Sequence, residues 1–224
     1  MSRKKNRIKI CGLTRREDIL AVNTWKPDYI GFVFAPGKRQ VTALKAKELK
    51  ELLLPEIPAV GVFVNSPMED VLALAEQKTI DCVQLHGDED CNYILELKKH
   101  LGPGVPIIKA IRVQTEADII QAGELPADFL LFDTYTKGVY GGSGKTFDWS
   151  MIPAIKTAQG ASSLPWGQIH RKPWFLAGGI DASNIRLAME TDAFCLDLSS
   201  SLETEGKKDP EKIREIIQII RSKE

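Results

Sequence analysis

The chain has 224 residues, 43% of them hydrophobic, enough to bury one substantial core at a size where α/β barrels fold as a single domain. Thirty basic and thirty acidic side chains cancel, so the composition argues against a nucleic-acid or anionic-membrane partner. No run reaches membrane-spanning length, the basic N-terminus has no signal-peptide character, and Cys11, Cys82, Cys91 and Cys195 lack CxxC spacing. The expectation is a cytoplasmic protein with reduced thiols.

Taken in chain order, β-branched and aromatic runs predict strands at residues 7–13 (RIKICGL), 29–35 (YIGFVFA), 58–64 (PAVGVFV) and 82–87 (CVQLHG). Four more follow at 107–113 (IIKAIRV), 129–134 (FLLFDT), 174–179 (WFLAGG) and 193–200 (AFCLDLSS). Each precedes a polar loop and, in most cases, a helix-like segment, at intervals that fit one parallel strand plus one crossover helix. Eight such units predict an α/β fold, a single (β/α)8 TIM barrel over residues 1–224. The long gap between the sixth and seventh strands predicts a surface insertion at about 158–173. A doubly wound open sheet is the competing architecture, but it usually has fewer strands and a Gly-rich turn after the first, where this chain has CGLTRRED.

Strands buried on both faces should be almost continuously apolar. Here Lys9, Cys11, Gln84, His86, Lys109, Asp133, Asp197 and Ser199 interrupt them at alternate positions, while Ile10, Leu85, Ile108, Phe132 and Leu198 are apolar. That parity predicts a polar barrel interior near a site, with the apolar set facing the helices. Buried Lys–Asp pairs that merely hold the core together would leave the same pattern.

In such a barrel the chemistry sits at the C-terminal strand ends and in the loops that follow. Those ends are Cys11, the PGKR of residues 36–39, Asn65, His86, Arg112, Asp133, Gly178-Gly179 and Ser199-Ser200. The glycine pair and the serine run stand where many barrels bind phosphate, and they supply closely approaching N–H groups and hydroxyls. Cys11 and Asp133, three strands apart round a closed ring, can face each other as base and acid. Taken singly, Cys11 reads as a core thiol and Asp133 as a helix cap or lysine partner. Between the sixth and seventh strands lies GGSGKT at 141–146, which has the letters of a phosphate-binding P-loop but Val139 where that motif needs its first glycine. No nucleotide hydrolysis is expected from it.

Together KICGLT, GFVFAPGKR, VGVFVN, VQLHGDE, IKAIRV, FDT…YGGSGKTFDW, AGGID and DLSSSLE resemble the phosphoribosylanthranilate isomerase family of tryptophan biosynthesis, from about residue 7 to residue 209. The resemblance implies a TIM barrel that catalyses the Amadori rearrangement of N-(5-phosphoribosyl)anthranilate with no cofactor and no metal. It implies Cys11 as general base, Asp133 as general acid, Arg39 as the residue that binds the anthranilate carboxylate, and Gly178, Gly179, Ser199 and Ser200 as the phosphate end. GGSGKT becomes a mobile loop with Gly142, Ser143 and Gly144 at its hinge, and Gln84 and His86 are candidate site-lining residues. The partner implied is a small phosphosugar.

Two positions depart from the family pattern. Ser201 stands where a glycine is usual, which puts a left-handed turn there in question, and Gln40 stands where an aromatic residue is usual. GKKD at 206–209 reads as a solvated helix start. Two other readings remain open on the residues: a related histidine-pathway isomerase, disfavoured by a cysteine at the first strand end, and a catalytically silent phosphate-binding barrel, which would be expected to have lost Cys11 or Asp133.

Overall fold

The strands Arg7–Cys11 (β1), Tyr29–Val33 (β2), Ala59–Phe63 (β3) and Cys82–Leu85 (β4) pair in parallel, each with the next. Ile107–Val113 (β5), Phe129–Thr134 (β6), Trp174–Leu176 (β7) and Cys195–Leu198 (β8) continue the ring, and β8 closes it against β1 with Lys9 opposite Asp197. The computed structural model describes residues 6–134, 149 and 172–222. Helices Arg16–Trp25 (α1), Ala43–Leu52 (α2), Met68–Glu76 (α3), Cys91–Leu101 (α4), Glu116–Ala122 (α5), Ile185–Met189 (α6) and Pro210–Arg221 (α7) alternate with the strands. This is the expected (β/α)8 barrel. GGSGKT, with Gly142, Ser143 and Gly144, lies outside the described residues, as does nearly all of the 158–173 insertion.

Local sequence explains the elements. In α7, Ile213, Ile216, Ile217 and Ile220 fall at i, i+3, i+4 and i+7 and are all buried, while Pro210 opens the helix and the Asp209 carboxylate caps the Glu211 amide at 2.9 Å. In α4, Asp90 caps the Tyr93 amide at 2.8 Å, and Lys98, Lys99 and His100 in the last turn suit the negative end of the helix dipole. No helix among the described residues is long and apolar enough to cross a membrane.

The interior parity needs one correction. Ile108 lies inside the barrel, in a cluster with Val60, Cys82, Leu131, Phe175 and Cys195, so Lys109 points to the helix side. There its ammonium group meets Glu89 at 2.8 Å and the Gly87 carbonyl at 2.6 Å. An alternating pattern with polar residues at both parities of one strand cannot assign faces; the glutamate that neutralises Lys109 sits in the loop between β4 and α4. The GKKD reading also needs correcting. Asp209 does cap a helix, but Glu203–Thr204 (β9) and Lys207–Lys208 (β10) form a small antiparallel hairpin that buries Lys208 beneath the barrel mouth.

Candidate active site

A cavity of about 620 Å3 opens at the C-terminal ends of the barrel strands, within the size range of small-molecule sites. Cys11, Arg39, Gln84, His86, Asp133, Gly178, Gly179, Ser199 and Ser200 all line it, so the structure brings together the described side chains named from the sequence. Asn65, Arg112 and Gln40 are not among its lining. Gln40 is exposed and its amide bonds the Phe34 carbonyl at 3.1 Å.

On one wall, Asp133 ends β6 buried. Its Oδ1 accepts the Thr134 amide at 2.7 Å, and its Oδ2 lies 3.2 Å from His86 Nε2. Gln84, two residues before His86 on the same face of β4, approaches His86 Nδ1 with its amide nitrogen at 2.8 Å. In that orientation Nδ1 accepts, Nε2 carries the imidazole proton, and Asp133 is the ionised acceptor. Turning the amide over puts Gln84 Oε1 against an Nδ1–H group and leaves Nε2 free to accept from a protonated Asp133. Gln84 Oε1 is otherwise buried without a partner among the described residues. The same heavy-atom chain therefore serves both protonation states of the carboxyl group. Gly178, at φ +88°, keeps this wall open: a Cβ there would sit 2.3 Å from Thr134 Oγ1 and 2.8 Å from Asp133 Oδ1.

On the opposite wall, Cys11 ends β1. Burial pushes its thiol above the ordinary range, Lys9 and Lys208 pull it back, and Asp197 adds to the upward push. Lys9 is fully buried, and its Nζ meets Asp197 Oδ2 at 2.8 Å. The other oxygen, Asp197 Oδ1, is buried without a partner among the described residues, and Asp197 lines the cavity.

At the mouth, the Arg39 guanidinium grips Glu203 through Nε at 2.6 Å and Nη2 at 2.9 Å. This pairing uses one edge of the fork and leaves the Nη1/Nη2 edge for a second carboxylate. Glu203 also takes Lys208 Nζ at 2.7 Å; burial works against its charge, but the hydrogen bonds and charges of Arg39 and Lys208 win and hold its carboxyl at about 2, from an ordinary 4.5. The sequence reading missed both: Glu203 closes DLSSSLE with no role assigned to it, and Lys208 lies in GKKD, which reads as a solvated helix start.

Where β8 ends, the Ser199 hydroxyl donates to the Cys11 carbonyl at 3.1 Å. Ser201, by contrast, lines the cavity with its Oγ buried and without a partner among the described residues. Its backbone lies in the 3-10 turn Ser200–Leu202, outside the left-handed region, so a serine fits there without strain. Among the described residues no group of three or more His, Cys, Asp or Glu is arranged to hold a metal ion.

Comparison with known proteins gives the same picture. Residues 8–219 match the family model for N-(5'-phosphoribosyl)anthranilate (PRA) isomerase. A protein of Endomicrobium trichonymphae named N-(5'-phosphoribosyl)anthranilate isomerase is 46% identical over 217 residues, which cover 96% of this chain and 98% of that one. The crystal structure of phosphoribosyl anthranilate isomerase from Thermotoga maritima superposes with a TM-score of 0.79 at 33% identity, over 96% of this chain and 98% of that one. A phosphoribosyl anthranilate isomerase solved in complex with reduced 1-(o-carboxyphenylamino)-1-deoxyribulose 5-phosphate has a TM-score of 0.77 at 32% identity, covering 95% of this chain and 97% of that one.

Proposed function

The chain belongs to the N-(5'-phosphoribosyl)anthranilate isomerase family, and from that premise we propose how its cavity carries out the reaction. The enzyme converts N-(5-phosphoribosyl)anthranilate to 1-(2-carboxyphenylamino)-1-deoxyribulose 5-phosphate in tryptophan biosynthesis. The observation that supports our assignment of roles is the order of groups round one cavity. A thiol and a carboxyl group lie on opposite walls, between a guanidinium with an open edge and a cluster of glycine and serine residues.

Asp133 donates a proton to the ribose ring oxygen; the C1–O bond breaks and the anilino nitrogen's lone pair forms the C=N bond of an iminium. The Cys11 thiolate then takes the C2 proton, and the C–H electron pair becomes the C1=C2 bond of an enolamine. Ketonisation moves the enol proton from oxygen to C1, so hydrogens change place and no oxidant or reductant is consumed. Arg39 holds the anthranilate carboxylate on its free edge, with Glu203 fixing the other. Gly178, Gly179, Ser199 and Ser200 form the phosphate end, joined by the Ser201 hydroxyl. His86 and Gln84 carry the hydrogen-bond chain that lets Asp133 alternate between acid and carboxylate. The enzyme acts in the cytoplasm, where its free cysteines stay reduced.

The test is loss of substrate fluorescence on mixing purified protein with freshly generated phosphoribosylanthranilate. Cys11→Ala and Asp133→Asn should each lower kcat by about 10²- to 10⁴-fold with little change in KM, because both groups act in the transition state. Cys82→Ala and Cys195→Ala should not. Near-normal turnover by Cys11→Ala would remove the base from this reading.

A further inference from the structure

A buried thiol is a poor base unless something favours its charged form. Cys11 is 8% exposed, and burial raises its pKa, so the groups round it decide whether a thiolate is accessible near neutrality. On β1 itself stands Lys9, two residues away on the same face; opposite it on β8 stands Asp197, and from β10 comes Lys208. Arg39 approaches from the loop after β2, Asp133 and His86 face Cys11 from across the cavity, and β2 presents only Gly31. A Cβ at Gly31 would come within 2.8 Å of Cys11 Sγ, so that side of the thiol is closed by backbone and holds no charge.

We propose that Lys9, which does not line the cavity, is the cation that sustains the Cys11 thiolate, with Asp197 as its counterweight. Lys9 is 0% exposed and held in one place by a 2.8 Å bond to Asp197. Burial alone would discharge it, but Asp197 and Cys11, through charge and hydrogen bonding, raise its pKa above the ordinary lysine range. The ammonium is thus permanent at physiological pH, and it stands two residues from Cys11 on the same face of β1, where its charge favours the thiolate. Asp197, which lines the cavity and whose Oδ1 is buried without a partner among the described residues, opposes the thiolate, which keeps the sulfur basic enough to take a proton from carbon. Lys9 is therefore a positioning residue that acts through Cys11 and not on substrate. The inference rests on the reading of Cys11 as base, but its test observes the thiol directly.

That test is the rate at which iodoacetamide alkylates Cys11 in the ligand-free enzyme, followed by peptide mass spectrometry so that Cys82, Cys91 and Cys195 are resolved separately. The rate tracks the thiolate fraction. Lys9→Met should lower it by about tenfold or more at neutral pH and move its pH midpoint up by about one unit or more. Asp197→Asn should raise it by about threefold or more and move the midpoint down. Both variants break the same buried pair, so mere loosening of the barrel would shift both the same way; opposite shifts require the electrostatic role. The proposal is overturned if both variants move together, or if the Lys9→Met rate stays within about twofold of the parent. Should Lys9→Met fail to fold, Asp197→Asn decides alone, and an unchanged or slower rate there overturns it. Failure of the base assignment is a separate outcome: Cys11→Ala would keep its turnover while the alkylation shifts persisted.

Discussion

Lys9–Asp197 and Lys109–Glu89 are both buried lysine–carboxylate pairs with nitrogen–oxygen distances of 2.8 Å, and they differ in what each pair leaves unused. Lys109 gives its protons to Glu89 and to the carbonyls of Gly87 and Leu85, while the Glu89 oxygens also take the amides of Asn65 and Gly87. That network is complete, and it ties the loop after β4 to β5. Burial lowers the Lys109 pKa in spite of Glu89, whereas Asp197 and the neighbouring sulfur more than reverse the effect of burial on Lys9. In Lys9–Asp197 one carboxylate oxygen has no partner among the described residues, Asp197 lines the cavity, and Cys11 stands two residues from Lys9 on the same strand face. Burial and pairing are common to both, so neither separates chemistry from architecture. Unspent hydrogen-bonding capacity in a residue that lines the cavity does.

The sharpest way to break this contrast is to break each pair. Lys109→Met leaves a buried glutamate without its cation and should destabilise the fold by about 3–5 kcal/mol in urea unfolding, the usual cost of removing one partner of a buried pair. The folded fraction should keep kcat/KM within about threefold of the parent, because Lys109 contacts no group of the cavity. If Lys109→Met instead lost turnover and slowed alkylation of Cys11 as Lys9→Met is expected to slow it, the two pairs would not differ in kind.

Arg39–Glu203 is an intermediate case: an ion pair with one guanidinium edge spent and one open. Arg39→Ala should cost about 2–3 kcal/mol in kcat/KM, or about 30- to 150-fold, mostly as a higher KM. On the proposed reading, the carboxylate it holds is remote from the proton transfers and is bound equally in ground and transition states. A loss below about threefold would mean that Glu203, and not substrate, is Arg39's whole purpose.

The fold was legible because each strand and its helix carry local signals. The β5 and β6 limits, 107–113 and 129–134, agree with the periodicity, and the isoleucine stripe of α7 fixes its buried face. Other strand ends were read too long: β1 stops at Cys11 and β7 at Leu176, because an apolar run does not say where pairing ceases. Cys11, Asp133, Arg39 and the glycine and serine cluster were found at strand ends, where barrel topology makes position informative. Glu203 and Lys208 were not, since neither a carboxylate closing a serine run nor a lysine in GKKD shows its partner until a hairpin brings both to Arg39. Lys109 was put on the wrong face for a related reason: its partner Glu89 lies about twenty residues away, and only the three-dimensional pairing shows which side of β5 is charged. Long-range pairs of this kind leave no periodicity.

The smallest effect tests the same rule on a single hydroxyl. Ser199 and Ser201 both line the cavity at its proposed phosphate end, but the Ser199 proton is committed to the Cys11 carbonyl, whereas Ser201 Oγ has no partner among the described residues. A phosphate oxygen can therefore gain a bond from Ser201 at no cost to the protein, while a bond from Ser199 requires breaking one already made. Ser201→Ala deletes the hydroxyl and leaves the 3-10 turn intact, so it should cost about 0.5–1.5 kcal/mol, raising KM and weakening competitive inhibition by inorganic phosphate by about two- to twelvefold. kcat should barely move, because the phosphate is distant from the bonds that change. Ser199→Ala should weaken phosphate less than Ser201→Ala does. If the order were reversed, an unpartnered buried oxygen would not be a guide to binding in this cavity, and the same reasoning applied to Asp197 Oδ1 would lose its support.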